Sequence, residues 1–272
     1  ESSHPEEAMP ITRSALAESY DRFLDHSAHY ITENADSGFL NLGYFTGTSM
    51  SLSEACARLT EELVATAQDR QGPVLDVGCG AGGGTACIAR HWPADRVHGA
   101  NISDHQLDAC RRRVPGAHFH LMPAEDLAFP DATFRTVISI EAACHFDRPR
   151  FLAEAMRILR PGGELVVADI LFHDQPEVFG RFLSGGEIYR DIGSYETIWR
   201  SAGFADVACR DVTDHVWRGF VRNSRTRALK GLMTKTLEPA AFRQTLAFAD
   251  RIAALPVSAY VIARATKPAA IS

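Results

Sequence analysis

The sequence has no run of apolar residues approaching the roughly 18 that a membrane-crossing helix needs, so no membrane association is expected. Its six cysteines are scattered, with no Cys-x-x-Cys pair and no spacing that would collect ligands around a metal. That excludes a disulfide scaffold or zinc module and fits free thiols in a reducing cytoplasm, with Cys79, Cys87 and Cys144 inside core-like or site-like segments. Excess positive charge is missing too. The net charge is −6, against a broad nucleic-acid footprint. Only Arg111-Arg112-Arg113 and the stretch from Arg222 to Arg227 concentrate cations, and both read as exposed helix faces or ends. The opening stretch Glu1–Glu7 is polar and acidic, without the basic end and apolar centre of a secretory leader. Internal repeats and low-complexity segments are absent.

What remains is 272 residues, 46% hydrophobic and 23% charged, an ordinary globular composition able to bury a sizeable core. Short β-rich runs alternate with helical patterns, which predicts an α/β fold with a parallel sheet. Strands are expected at 74–77, 96–101, 117–121, 136–140, 164–169, 206–213 and 258–265. Helices are expected near 83–91, 103–113, 148–160 and 194–202. In the 148–160 helix Phe151, Leu152, Ala155, Ile158 and Leu159 recur at helical spacing, Asp147 can cap the start, and Pro161-Gly162-Gly163 ends it. Ser51-Leu52-Ser53-Glu54 has the spacing of a capping box. Residues 1–50 fall outside this alternation, as do the aromatic-rich stretches 171–193 and 214–255.

The most informative segment is Val74-Leu75-Asp76-Val77-Gly78-Cys79-Gly80-Ala81-Gly82-Gly83-Gly84. An apolar strand runs into five glycines and then into helical composition, so backbone can approach a ligand where side chains would collide. Dinucleotide-binding folds use a similar loop. Asp76, however, sits at the strand's C-terminal end, where a carboxylate suits a ligand ammonium better than a pyrophosphate.

The string VLDVGCGAGGGT resembles the nucleotide loop of class I S-adenosylmethionine-dependent methyltransferases. The resemblance continues through VHGANIS (97–103), AEDLAFPDATF (124–134), ISIEAACHF (138–146), RILRPGGELVVADI (157–170) and ALPVSAYVIARATKP (254–268). It points to the small-molecule branch that methylates natural-product sugars and other secondary metabolites. It implies a Rossmann-like fold: seven strands, mostly parallel, helices on both faces, and a helical, aromatic lid. One α/β domain (51–272) is then expected, with a lid segment at 1–50 and an inserted cap at about 171–193 and 214–255.

By the same resemblance, Asp76, Gly78 and Gly80 serve the amino-acid end of S-adenosylmethionine. Asn101 stands where relatives carry an acid for the ribose, and its amide can accept from one hydroxyl and donate to the other. Gln106 is either a cofactor contact or the last residue of a capping box begun by Ser103. Ala124 and Glu125 occupy the adenine-facing turn, where Pro123 replaces a common aspartate. Tyr20 and Tyr44 match aromatics that close over the methionine portion, with plain packing as the alternative. Glu141 helps shape the cofactor pocket. His145 stands where many sugar O-methyltransferases have a histidine, and it is the expected general base, with Asp169 on the next strand end as its partner. Relatives often have two adjacent histidines there; Cys144-His145 excludes a two-imidazole relay.

The implied activity is methyl transfer to a bulky, partly apolar small molecule, with O-methylation first and C-methylation of a prenyl chain or aromatic ring as the alternative. A non-enzymatic S-adenosylmethionine-binding module needs no base. A nicotinamide oxidoreductase is disfavoured by Asp76 and Asn101. Glu141, His145 and Asp169 do not form a diagnostic metal set, and no metal is expected. Homo-oligomerisation stays open.

Overall fold

Each of the seven expected strands forms, and all join one sheet. The computed structural model describes residues 36–174 and 188–269. The strands are β1 (Val74–Val77), β2 (Val97–Asn101), β3 (His118–Leu121), β4 (Phe134–Ile140), β5 (Leu159–Phe172), β6 (Ala205–Asp211) and β7 (Val257–Thr266), in the order β3-β2-β1-β4-β5-β7-β6. The first five are parallel; β7 runs antiparallel between β5 and β6. This is the Rossmann-like methyltransferase arrangement. The order reverses between β1 and β4, the place where open α/β sheets receive ligands at the strands' C-terminal ends.

The described helices are α1 (Leu52–Thr66), α2 (Gly83–Ile88), α3 (Asp104–Arg113), α4 (Arg148–Ile158), α5 (Ile192–Ser201), α6 (Trp217–Met233) and α7 (Pro239–Ala253). The expected caps form. Ser51 and Glu54 close a capping box at α1, and Asp147 accepts from the Arg150 N–H at α4. The α4 helix ends at Ile158, and Leu159 already pairs with Phe134. The Pro161-Gly162-Gly163 turn is then absorbed as an irregularity inside β5, whose pairing resumes at Thr136 with Glu164.

Alternation along the central strands sorts the core into two layers. Val74, Ile138, Val166, Ala168 and Ile170 pack with α1, α2 and α6 through residues such as Leu59, Leu63, Ile88 and Phe220. Leu75, Val77, Val137, Leu165, Val167 and Leu171 pack with α4 and α5 through Phe151, Leu152, Tyr195 and Trp199. The stretch 214–255 becomes the helix pair α6 and α7, which pack on each other. No helix among the described residues is long and apolar enough to cross a membrane.

Candidate active site

A cavity of about 290 Å³ opens at the C-terminal ends of β1, β2, β4 and β5. The glycine loop forms its floor. Gly78 has φ +76°, and a Cβ there would collide with the Cβ of Ala142, so only glycine lets the loop lie against the turn after β4. Its N–H donates to Ala100 O (2.9 Å). The Gly78 N–H is therefore already paired within the fold. Gly80 also lines the cavity with positive φ, and its carbonyl accepts from the Asn101 amide (3.3 Å) and the Cys110 thiol (3.1 Å).

Asp76 is buried on the cavity wall. One carboxylate oxygen accepts from the Thr85 hydroxyl at 2.6 Å. Burial pushes its pKa up to about 6, against the opposing pull of that hydroxyl. Asn101 lines the cavity from the end of β2. Its Nδ2 donates to Gln106 Oε1 (2.8 Å), and its Oδ1 accepts from the Ile102 N–H (2.8 Å). The Gln106 N–H is capped by Ser103 Oγ (3.2 Å), one half of the expected box, while its side chain turns to Asn101 and lines the cavity. Ala124 and Glu125 line the same end with Met122 and Pro123. Glu125 Oε1 also accepts from the Asp147 N–H (3.0 Å), tying this turn to the one that carries His145.

At the other end stand Glu141 and His145. Glu141 follows β4 with φ +53° and accepts through Oε1 from the Leu42 N–H (2.9 Å) and the Tyr260 hydroxyl (2.7 Å). Burial raises its pKa to about 7; the two donors oppose the shift and the charge of Asp169 adds to it. His145 ends a 3-10 turn over Ala143–His145 and lines the cavity. Beyond it the wall turns apolar, through Ile170, Phe172, Trp217, Phe248 and Ile252.

Two expected site residues lie elsewhere. Asp169 does not partner His145. It is fully buried and held by Arg148, Nε to Oδ2 at 2.8 Å and Nη2 to Oδ1 at 3.2 Å. Strand parity is the reason. Asp169 shares the face of Leu165, Val167 and Leu171 under α4 and α5, whereas Ile170 and Phe172 point the other way and reach the cavity. Tyr44 is buried against the His215 ring, stacked at 4.5 Å, and does not line the cavity. Asn41 and Leu42 of the same loop do. Tyr20 lies outside the described residues.

Arg148 and Tyr260 had no place in the sequence reading. A signal existed for Arg148: a cation as first residue of a helix, where the helix dipole disfavours it, calls for a buried acid nearby. Tyr260 lies within an apolar strand and gave none.

A family model described as a methyltransferase domain matches residues 75–167. Erythromycin 3''-O-methyltransferase of Saccharopolyspora erythraea is 30% identical over 96% of this chain and 92% of its own. The 27-O-demethylrifamycin SV methyltransferase of Amycolatopsis mediterranei is 29% identical over 94% and 98%. Among solved structures, the 4+2 cyclase SpnF aligns with a TM-score of 0.71 at 21% identity, covering 97% of this chain and 100% of that one. Geranyl diphosphate C-methyltransferase from Streptomyces coelicolor A3(2) aligns with a TM-score of 0.68 at 16% identity, covering 96% and 100%. The two structures speak for the fold alone. With the glycine loop and Asp76 at the switch point of the sheet and near-complete alignment to a 30% identical relative, the chain belongs to the class I S-adenosylmethionine-dependent methyltransferases.

Proposed function

We propose that the chain methylates a hydroxyl of an apolar, uncharged secondary metabolite, with His145 as general base. The observation that carries this reading is the position of His145, on the cavity wall where the polar cofactor end meets the apolar end of Ile170, Phe172, Trp217, Phe248 and Ile252. Relatives named for O-methylation of erythromycin and a rifamycin support a natural-product acceptor. Among the described residues lining the cavity there is no Lys or Arg, while Asp76, Glu125 and Glu141 are there.

The residues fit S-adenosylmethionine. The Asp76 carboxylate and Gly78 carbonyl suit an ammonium, the Asn101 and Gln106 amides a ribose diol, and the turn from Met122 to Glu125 an adenine. When bound, the cofactor supplies an already activated methyl group on a sulfonium. The protein's part is to align the acceptor oxygen with it, keep water out and take the hydroxyl proton at the His145 imidazole. Incubation with hydroxylated macrolide and glycoside acceptors, followed by product mass spectrometry, tests the reading. A methyl found only on carbon would overturn O-methylation.

The Asp76 assignment has its own test. With its folded pKa raised, the protonated carboxyl contributes stability that is fully present below the ordinary carboxylate pKa and lost as pH rises through about 6. A ligand ammonium favours the ionised form. Affinity for S-adenosylhomocysteine should therefore fall by up to about tenfold per pH unit below about 6 and level off above it. Asp76→Ala should remove this dependence and weaken binding by about 1.5–3 kcal/mol, as for a lost hydrogen bond to a charged group. Titration calorimetry across the pH range reads both effects. A flat wild-type profile would detach Asp76 from the amino-acid end.

A further inference from the structure

Glu141 is built in an unusual way for a residue that merely shapes a pocket. Its backbone adopts φ +53°, a conformation costly for a side-chain-bearing residue, at the end of β4 beside the switch point of the sheet. One carboxylate oxygen collects both donors, the Leu42 N–H and the Tyr260 hydroxyl, from segments 99 and 119 residues away in sequence. Among the described residues no donor meets the other oxygen, and the side chain lines the cavity. A carboxylate fixed at one oxygen and open at the other, on the wall of a ligand cavity, is placed to face a cation.

The order of strands says where that cation lies. The β2 rim carries Asn101, the β1 rim Asp76 and Gly78, the β4 rim Glu141 and then His145, and the β5 rim Ile170 and Phe172 of the apolar wall. A cofactor held with its ribose at Asn101 and its amino acid at Asp76 would carry its sulfur between them, in the cavity that Glu141 lines from the β4 rim. We propose that Glu141 discriminates the sulfonium cofactor from its neutral thioether product, by setting its open carboxylate oxygen against the sulfonium charge. The proposal rests on the cofactor placement given above and does not depend on which atom is methylated.

The chemistry is a charge balance. S-adenosylmethionine and S-adenosylhomocysteine share the ammonium, carboxylate, ribose and adenine, so Asp76, Asn101 and Gln106 meet the same groups in both. Only the sulfonium charge and its methyl differ. Other titratable groups around Glu141 are Asp169, whose charge raises its pKa, the Tyr260 hydroxyl, the buried Cys144 thiol, and Asp76 and His145 along the cavity. Asp169 is already paired by Arg148, Asp76 is assigned to the common ammonium and Glu125 stands in the turn assigned to the adenine, with Oε1 on the Asp147 N–H, which leaves Glu141 to answer the sulfonium. Loss of that charge on methyl transfer weakens the hold on the product and favours its release.

With the Glu141 carboxyl held near 7 by burial, about half of the empty protein carries its proton at neutral pH. Arrival of the sulfonium expels that proton, and arrival of the thioether does not. Calorimetry of the two ligands on the wild-type protein at about pH 7, in buffers of low and high ionisation enthalpy, reads the protons released. The expected result is a larger proton release for S-adenosylmethionine than for S-adenosylhomocysteine. In Glu141→Gln, whose amide oxygen can still accept from Leu42 and Tyr260, that excess should vanish. Affinity for S-adenosylmethionine should then fall about tenfold while affinity for S-adenosylhomocysteine, which also reports that the variant is folded, stays within about twofold. Equal proton release for both ligands on the wild type would overturn the proposal and leave the cofactor placement standing. So would equal weakening of both ligands in the variant. Binding of neither ligand would overturn the placement and the proposal together.

Discussion

His145→Ala is expected to lower kcat by about 10²–10⁴, the usual range for loss of a general base, which is about 2.7–5.5 kcal/mol of barrier. Affinity for S-adenosylmethionine should stay near wild type, because the proposed placement assigns the cofactor's polar groups to other residues. Single-turnover methyl transfer with product mass spectrometry separates the readings. If the acceptor is an alkene or an electron-rich ring, transfer needs no prior deprotonation, and the variant would keep its transfer rate but change the products. A variant giving the same product at full rate would remove His145 from the mechanism.

The second large effect concerns stability. Arg148→Met should destabilise the fold by about 3–5 kcal/mol, because it leaves the Asp169 carboxylate buried without its partner. For a protein of this size that is a drop in Tm of roughly 6–20 °C. Arg148 also donates to Ile170 O at 3.0 Å and lies over the Tyr189 ring at 5.3 Å. Part of the loss is therefore packing and cation–π contact. The double variant Arg148→Met with Asp169→Leu should recover most of the loss, since apolar side chains of similar volume often replace a buried ion pair at little cost. Thermal melts of the single and double variants check this. If the single variant melts like wild type, the pair is not what joins the start of α4 to β5.

Much of the architecture was legible because it follows from local rules. Alternating apolar runs gave all seven strands, and Ser51 with Glu54 and Asp147 marked where helices begin. The glycine loop with Asp76 placed one wall of the cavity, since a strand running into glycines commits the backbone whatever lies around it. Strand bounds were less legible at β5, where pairing with β7 extends the strand to Phe172, beyond what its own residues require.

Side-chain partners at the site were not legible in the same way. Asp169 looked like a rim residue beside His145, yet one step of strand parity turns it beneath the sheet to Arg148 while Ile170 takes the cavity side. For Tyr44 the sequence left cofactor closure and plain packing open; the stacked His215 ring makes it packing, and its neighbours Asn41 and Leu42 face the cavity instead. Sequence by itself thus determined the α/β class, the family and the positions of Asp76, Asn101 and His145, because each sits within a short motif whose backbone path is local. Only the tertiary structure decided that Asp169 serves Arg148 and that Glu141 is anchored by Leu42 and Tyr260. Those pairs join distant segments, and which acid meets which donor depends on the face each strand presents once the sheet has closed.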